Sequence, residues 1–181
     1  MYQGTLVTLR PFGEAELERY LEWVNDAEVA AQVGRATPVT ATEHRRWYDQ
    51  ALGRSDTVMF AVYTNEGRRY IGNVWLWGIH QVNRNAELRI LLGDPQGQGR
   101  GCGTDACKVL IDFAFRRMNL HKVYLYVLAS NPRAKRAFEK AGFREEGLLR
   151  DEFFVDGEYR DVYRMGILRT DPPAPVPAPP A

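Results

Sequence analysis

Gln98-Gly99-Arg100-Gly101-Cys102-Gly103-Thr104 is the stretch that decides how this chain is read. Glycines at alternate positions keep bulky side chains off a short loop. The residues that follow, Gly103 to Met118, have the spacing of an amphipathic helix. Ala106, Cys107, Leu110, Ile111, Phe113 and Ala114 fall toward one side, and Asp105, Lys108, Asp112 and Arg116 form a polar stripe. A glycine turn running into a helix start points unpaired N–H groups outward at the positive end of the helix dipole. The loop therefore predicts a phosphate or pyrophosphate site.

Two common phosphate loops do not fit. A Walker A loop needs a Lys directly after its last glycine, and none stands there. A dinucleotide fingerprint asks for Gly-x-Gly-x-x-Gly and an acid about 20 residues on. Here Thr104 replaces the third glycine, and the next strand, Val123–Val127, carries no acid.

The chain has 181 residues, enough for one domain with a proper core. Its 24 Lys and Arg nearly cancel 23 Asp and Glu, which leaves no basic footprint for nucleic acid. No apolar run reaches membrane-spanning length, and no signal peptide stands at Met1, so the expected setting is soluble and cytoplasmic. Cys102 and Cys107 sit on different helix faces, which argues against a mutual disulfide. His44, His80 and His121 are scattered, so no metal site is expected.

Around the loop, periodicity predicts strands at Thr5–Arg10, Val58–Tyr63, Tyr70–Trp77, Ala86–Leu92, Val123–Val127, Arg144–Phe154 and Tyr159–Leu168. Helices are expected at Glu14–Trp23, at Glu28–Val33, and from a capping box at Thr40-Ala41-Thr42-Glu43 to Leu52. Asn131-Pro132 pairs an N-cap with a first-turn proline, opening a helix that Gly142 stops. Val155-Asp156-Gly157-Glu158 reads as a hairpin turn. Six of the twelve residues from Thr170 on are Pro, so 170–181 is expected to be an unpacked tail after a domain covering 1–169. The sum is an α/β (α+β) domain: a mixed, mostly antiparallel twisted sheet of six to seven strands and about four helices.

These residues resemble a known family. Gln98-x-x-Gly101-x-Gly103 is similar to the Gln/Arg-x-x-Gly-x-Gly/Ala signature of the GNAT superfamily of acetyl-CoA-dependent N-acetyltransferases. Ala86-Glu87-Leu88, Asn131-Pro132-Arg133-Ala134 and Ala141-Gly142-Phe143-Arg144-Glu145-Glu146-Gly147 extend the likeness at family spacing. Leu9-Arg10-Pro11 and Trp23-Val24-Asn25-Asp26 resemble the branch with ribosomal-protein N-terminal acetyltransferases. Glu152-Phe153-Phe154-Val155-Asp156-Gly157-Glu158-Tyr159-Arg160 resembles the bacterial spermidine/diamine acetyltransferases. Together the likeness covers residues 5 to 168.

The resemblance implies transfer of acetyl from acetyl-CoA to a primary amine, on a polyamine-like molecule or a protein N-terminus, in a direct ternary complex. A regulatory acyl-CoA-binding module on the same fold is the alternative. It also implies that Ala86–Leu92 and Val123–Val127 splay apart around the cofactor. Pyrophosphate would then rest on the loop Gln98, Gly99, Arg100, Gly101, Cys102, Gly103 and Thr104. Pantetheine would run along Ile90, Leu91 and Leu92 and meet Asn131 and Phe138. Glu87 is the implied general base; the other reading makes it an ordinary strand residue paired with Arg89 or Arg84. Phe138 stands where many relatives carry the Tyr that protonates the leaving thiolate, so Tyr124, Tyr126, Ser130 or water must serve instead. Trp75 and Trp77 share a strand face and either line the acceptor groove or fill core. Glu14, Glu16, Glu18, Glu22, Asp26 and Glu28 either attract a cationic amine or form a solvated helix face. A homodimer is compatible with the family.

Overall fold

The structure is a computed structural model and describes residues 1–32, 37–155 and 157–172. Among them run β1 (Tyr2–Gln3), β2 (Val7–Pro11), α1 (Glu14–Asn25), α2 (Ala27–Gln32), α3 (Ala41–Leu52), β3 (Thr57–Thr64), β4 (Tyr70–His80) and β5 (Asn85–Leu92). Then follow a 3₁₀ turn (Pro95–Gly97), α4 (Cys102–Arg116), β6 (Lys122–Leu128), α5 (Pro132–Ala141), β7 (Arg144–Val155) and β8 (Glu158–Leu168). The strands form one sheet in the order β1-β2-β3-β4-β5-β6-β8-β7, antiparallel at every pairing except β5 with β6.

The sheet has eight strands where six or seven were expected, and five α-helices lie around it instead of about four. The extra strand is β1, a two-residue edge pairing too short to leave a period. The expected helix at Glu28–Val33 begins earlier, at Ala27, because the Asp26 carboxylate caps it by accepting from the Glu28 and Val29 N–H groups (3.0 Å each). Val33 and Asp156 of the expected hairpin lie outside the described residues. Of the Pro-rich tail, 173–181 lies outside them too. Asp171, just before, accepts from the Leu168 N–H (2.8 Å).

Alternation gives the sheet two apolar faces. On one, Val7, Leu9, Val74, Leu76, Ala86, Leu88, Val123 and Leu125 pack on α4 through Ala106, Cys107, Leu110 and Ala114. On the other, Phe12, Tyr20, Trp23, Val29 and Tyr48 from the α1–α3 layer cover Ala61 and Leu91. Local signals behave as their chemistry dictates. The Thr40 hydroxyl accepts from the Glu43 N–H (3.2 Å) and the Glu43 carboxylate accepts from the Thr40 N–H (2.9 Å). The Thr40 N–H and the Thr40 hydroxyl, which also donates to it (2.7 Å), hold the Glu43 carboxyl below the usual carboxylate range. Asn131 accepts from the Ala134 N–H (3.0 Å), and Gly142 closes α5 in the left-handed region at φ 108°.

The site depends on a fork. β5 and β6 pair only at Asn85–Lys122, Ala86–Val123 and Glu87–Tyr124. Beyond that rung the two strands separate, and their facing main-chain edges have no strand between them.

Candidate active site

The fork opens into a groove of about 1390 Å³. Glu87 through Leu92 form one wall, and Leu125 through Leu128, Ser130 and Asn131 the other. Gly99, Gly101, Gly103, Thr104 and Lys108 come in from the loop and α4, and Arg133, Arg136, Ala137, Phe138 and Lys140 from α5. Of the residues predicted to meet a cofactor, Ile90, Leu91, Leu92, Gln98, Gly99, Gly101, Gly103, Thr104, Asn131 and Phe138 line this space together with Glu87.

The side chains of Arg100 and Cys102 do not, although the Cys102 N–H stays at the start of the loop helix. Arg100 is exposed and outside the groove lining. Cys102 turns into the core beside Ala106 and Leu110, because its helical phase matches the buried stripe. Burial, reinforced by Asp105, raises its thiol above the ordinary range, against any nucleophilic use.

The loop keeps side chains away and its backbone N–H groups open. Gly99 (φ 73°) and Gly101 (φ 85°) both occupy the left-handed region, where a Cβ is strained. A Cβ on Gly101 would also meet the Leu6 side chain at 3.2 Å. Asp105 is the first residue of α4 whose N–H reaches an intrahelical carbonyl, that of Gly101 at 3.0 Å. The N–H groups of Cys102, Gly103 and Thr104 therefore have no intrahelical acceptor. Gln98 works differently from expectation: its N–H donates to the Pro95 carbonyl (3.2 Å) and its side-chain amide to the Leu92 carbonyl (3.0 Å). It folds the loop back over the end of β5. The 3₁₀ turn Pro95–Gly97 separates the end of β5 from the loop. Asp94, 2% exposed, caps this turn through the Gln96 N–H (2.8 Å) and pairs with Arg69 (2.8 Å).

Sequence reading missed the basic lining. Arg133, Arg136 and Lys140 project from α5 at i, i+3 and i+7, and Lys108 faces them from α4. That stripe is legible in the sequence as basic residues at helical spacing. Also missed was Asp105, whose carboxylate accepts from the N–H groups of Thr5 (3.2 Å), Leu6 (2.7 Å) and Val7 (3.0 Å). It fastens the entry to β2 onto the first turn of the loop helix.

Glu87 stands at the fork, between Trp77 on β4 and Tyr124 on β6 in the strand register. Both of its readings meet here, since it lines the groove and its carboxylate also accepts from Arg89 at 2.8 and 2.9 Å. Beside it lies a smaller cavity of about 350 Å³, lined by Tyr20, Glu43, His44, Trp47, Trp75, Trp77 and Arg89 among others. Tyr20, Trp75 and Arg89 border both spaces, so the cavity continues the groove. Trp75 and Trp77 thus line this smaller cavity, and Trp75 also packs against the core on that face. The acids of the first helical region are mostly engaged elsewhere. Glu16 is buried, taking the Tyr63 hydroxyl (2.6 Å) and the Gly13 N–H (2.9 Å); Glu14 pairs with Arg45, Glu22 with Arg19, and Asp26 caps α2. Of the alternative proton donors, Tyr126 and Ser130 line the groove. Phe138 borders it while packing edge-on against Phe143 (6.1 Å).

Comparison with known proteins agrees with this geometry. The acetyltransferase (GNAT) domain family matches residues 7–144. A spermidine N(1)-acetyltransferase of Escherichia coli strain K12 is 33% identical over 163 residues, 90% of this chain and 86% of that one. One from Vibrio cholerae is 42% identical over 103 residues, 57% of this chain; that alignment spans 59% of the relative's length. The crystal structure of spermidine N-acetyltransferase from Vibrio cholerae in complex with CoA and spermine superposes with a TM-score of 0.86 at 32% identity. It covers 91% of this chain and 96% of that one. The chain belongs to the GNAT acetyltransferase family. It is an acetyl-CoA-dependent N-acetyltransferase.

Proposed function

We propose that the chain acetylates a primary amine of a spermidine-like polyamine, with Glu87 as the general base. The observation that carries this reading is the position of Glu87, on the last rung of the fork between the cofactor groove and the aromatic cavity. The named activity of the relatives supports the acceptor class. So does the cavity lining: indole faces attract ammonium groups, and the Glu43 carboxylate adds negative charge.

Acetyl-CoA supplies the thioester acetyl group. The Gly99–Thr104 loop fits its pyrophosphate, since the cradle has outward N–H groups and no Cβ at Gly99, Gly101 or Gly103. Arg133, Arg136, Lys108 and Lys140 suit its remaining phosphate charge. The uncovered edge of Arg89–Leu92 offers main-chain groups to an extended pantetheine, as a sheet edge does to a peptide. An ammonium cannot attack a carbonyl carbon. Glu87 takes its proton, directly or through a water, and the neutral amine forms the C–N bond as the C–S bond breaks. The nitrogen sheds its second proton as the amide forms, and Tyr126 or Ser130, both on the groove wall, passes a proton to the thiolate sulfur.

Self-association also belongs to this proposal. β7 is an edge strand of twelve residues, with exposed Leu148 and Phe154 and, across the hairpin, Tyr159. The free cysteines Cys102 and Cys107 suit a reducing, cytoplasmic setting, and no described helix is long and apolar enough to cross a membrane.

Thiol release from acetyl-CoA over an amine panel tests the reading. Turnover with spermidine above that with N-terminal peptides is expected. Stabilisation by CoA with no thiol release on any amine would overturn it in favour of a binding module.

A further inference from the structure

We propose that the Glu87 carboxylate and the Trp77 ring form the seat for the acceptor's ammonium group, and that Arg89 occupies this seat until the acceptor displaces it. The inference rests on the amine-acetylating reading and adds the residue that sets acceptor affinity.

The strand register builds the seat. Trp77 lies opposite Glu87 on the antiparallel β4–β5 pairing, so both side chains emerge on the same face as neighbours. A carboxylate beside an indole face is a receptor for one positive charge, through Coulomb attraction and the ring quadrupole. Arg89, two residues along β5 and opposite Trp75, leans back into this place. Its guanidinium makes a two-point pair with Glu87 (2.8 and 2.9 Å) and lies 4.9 Å from the centre of the Trp77 ring. The cation is therefore already present, supplied by the chain itself.

The position is also a boundary. Arg89 borders both the cofactor groove and the aromatic cavity, so an amine passing from cavity to thioester must go by it. Its side chain is 42% exposed while that of Glu87 is 17% exposed, so the arginine can swing into solvent and leave the carboxylate behind. Releasing Arg89 has a second effect. With the guanidinium gone, the substrate's ammonium lies directly against the Glu87 carboxylate, the group proposed to take its proton. Each acceptor must compete with the arginine, which weakens binding of every ammonium by the strength of that contact.

Arg54 provides the control. Its guanidinium also lies near Trp77, at 4.4 Å, but it is tied to Asp56 (2.6 Å) and borders neither cavity. In steady-state assays, Arg89→Gln should lower the KM for spermidine about fivefold, with the KM for acetyl-CoA unchanged. Arg54→Gln should leave both values at wild type. An equal or raised spermidine KM in Arg89→Gln would overturn the seat. Calorimetric titration of n-butylammonium into the CoA-bound proteins reads the same seat whatever the acceptor. Tighter binding to Arg89→Gln with no spermidine turnover would support the seat and refute the polyamine reading; equal or weaker binding would refute the seat itself.

Discussion

Glu87 and Tyr124 face each other across the last rung that joins β5 to β6, at the point where the sheet opens. The pairing shapes both groups. Burial first, and then the Glu87 carboxylate, push the Tyr124 phenol above its ordinary range, so it stays protonated and acts only as a donor or a wall. Of this pair, Glu87 alone carries a carboxylate, the group proposed to take the ammonium proton. Glu87→Gln keeps the size and the strand but removes that capacity. We expect kcat to fall by about 10²–10⁴ while the thermal midpoint and CoA affinity stay near wild type. Stopped-assay rates beside CoA calorimetry check this, and a variant with wild-type kcat removes Glu87 from the mechanism.

The loop gives a prediction of the opposite kind, on binding rather than chemistry. Gly101→Ala places a Cβ in a left-handed residue, at a strain of about 1–2 kcal/mol, and 3.2 Å from Leu6. The loop must shift, and its N–H groups turn from their target. The KM for acetyl-CoA should rise about tenfold or more, with a smaller change in kcat at saturation. Titration calorimetry with CoA should show the same loss.

How much of this was legible follows from where the information is held. Gly101 and Asn131 announce themselves because each is the residue type its local backbone demands. The helices and strands from β2 to β8 follow from period and turn chemistry for the same reason, whereas the 3₁₀ turn, too short for a period, does not. What escaped is non-local. Arg89 reads as an ordinary exposed strand residue until β4 brings Trp77 beside Glu87. Asp105 reads as a first-turn acid suited to the dipole, and only packing shows that it holds residues a hundred positions away. Cys102 sits in the motif, yet helical phase directs it to the core.

Asp105 carries a stability prediction. Its carboxylate takes three main-chain N–H groups from the entry to β2; those of Thr5 and Leu6 are exposed to water, whereas that of the buried Val7 loses its partner if the carboxylate is removed. Asp105→Ala should cost about 1–3 kcal/mol of unfolding free energy in urea titrations. Because α4 begins three residues before Asp105, CoA affinity should fall as well. A variant as stable as wild type would show that water satisfies these groups equally well.

Tyr63 gives a pH signature. Burial and its hydrogen bond to Glu16 push its phenol up from 10.0 to about 12 in the folded chain. The folded state thus holds this proton more tightly than the unfolded state. Its contribution is complete below pH 10 and is lost as pH climbs toward 12. Tyr63→Phe should accordingly be less stable than wild type at pH 8, and the gap should narrow through that alkaline window. Denaturant melts at pH 8 and pH 11 compare the two; a gap that widens with pH would contradict the assignment.

Phe138 bears on how the thiolate leaves. The ring packs on Phe143 and the core and also borders the groove, the side on which an added hydroxyl would have to lie to serve the cofactor. Thiols ionise near pH 8–9, so a thiolate departs without help less readily than with a donor in place. Phe138→Tyr should fold with an unchanged melting temperature and raise kcat several-fold, by about the contribution of one positioned proton donor held below its full value by the donors already lining the groove. Pairing it with Tyr126→Phe sharpens the reading. If Tyr126 serves in the native chain, the single Tyr126→Phe variant should lose activity and Phe138→Tyr should restore part of it. If neither substitution moves kcat, sulfur takes its proton from solvent, and the rate is set at Glu87 on the other side of the fork.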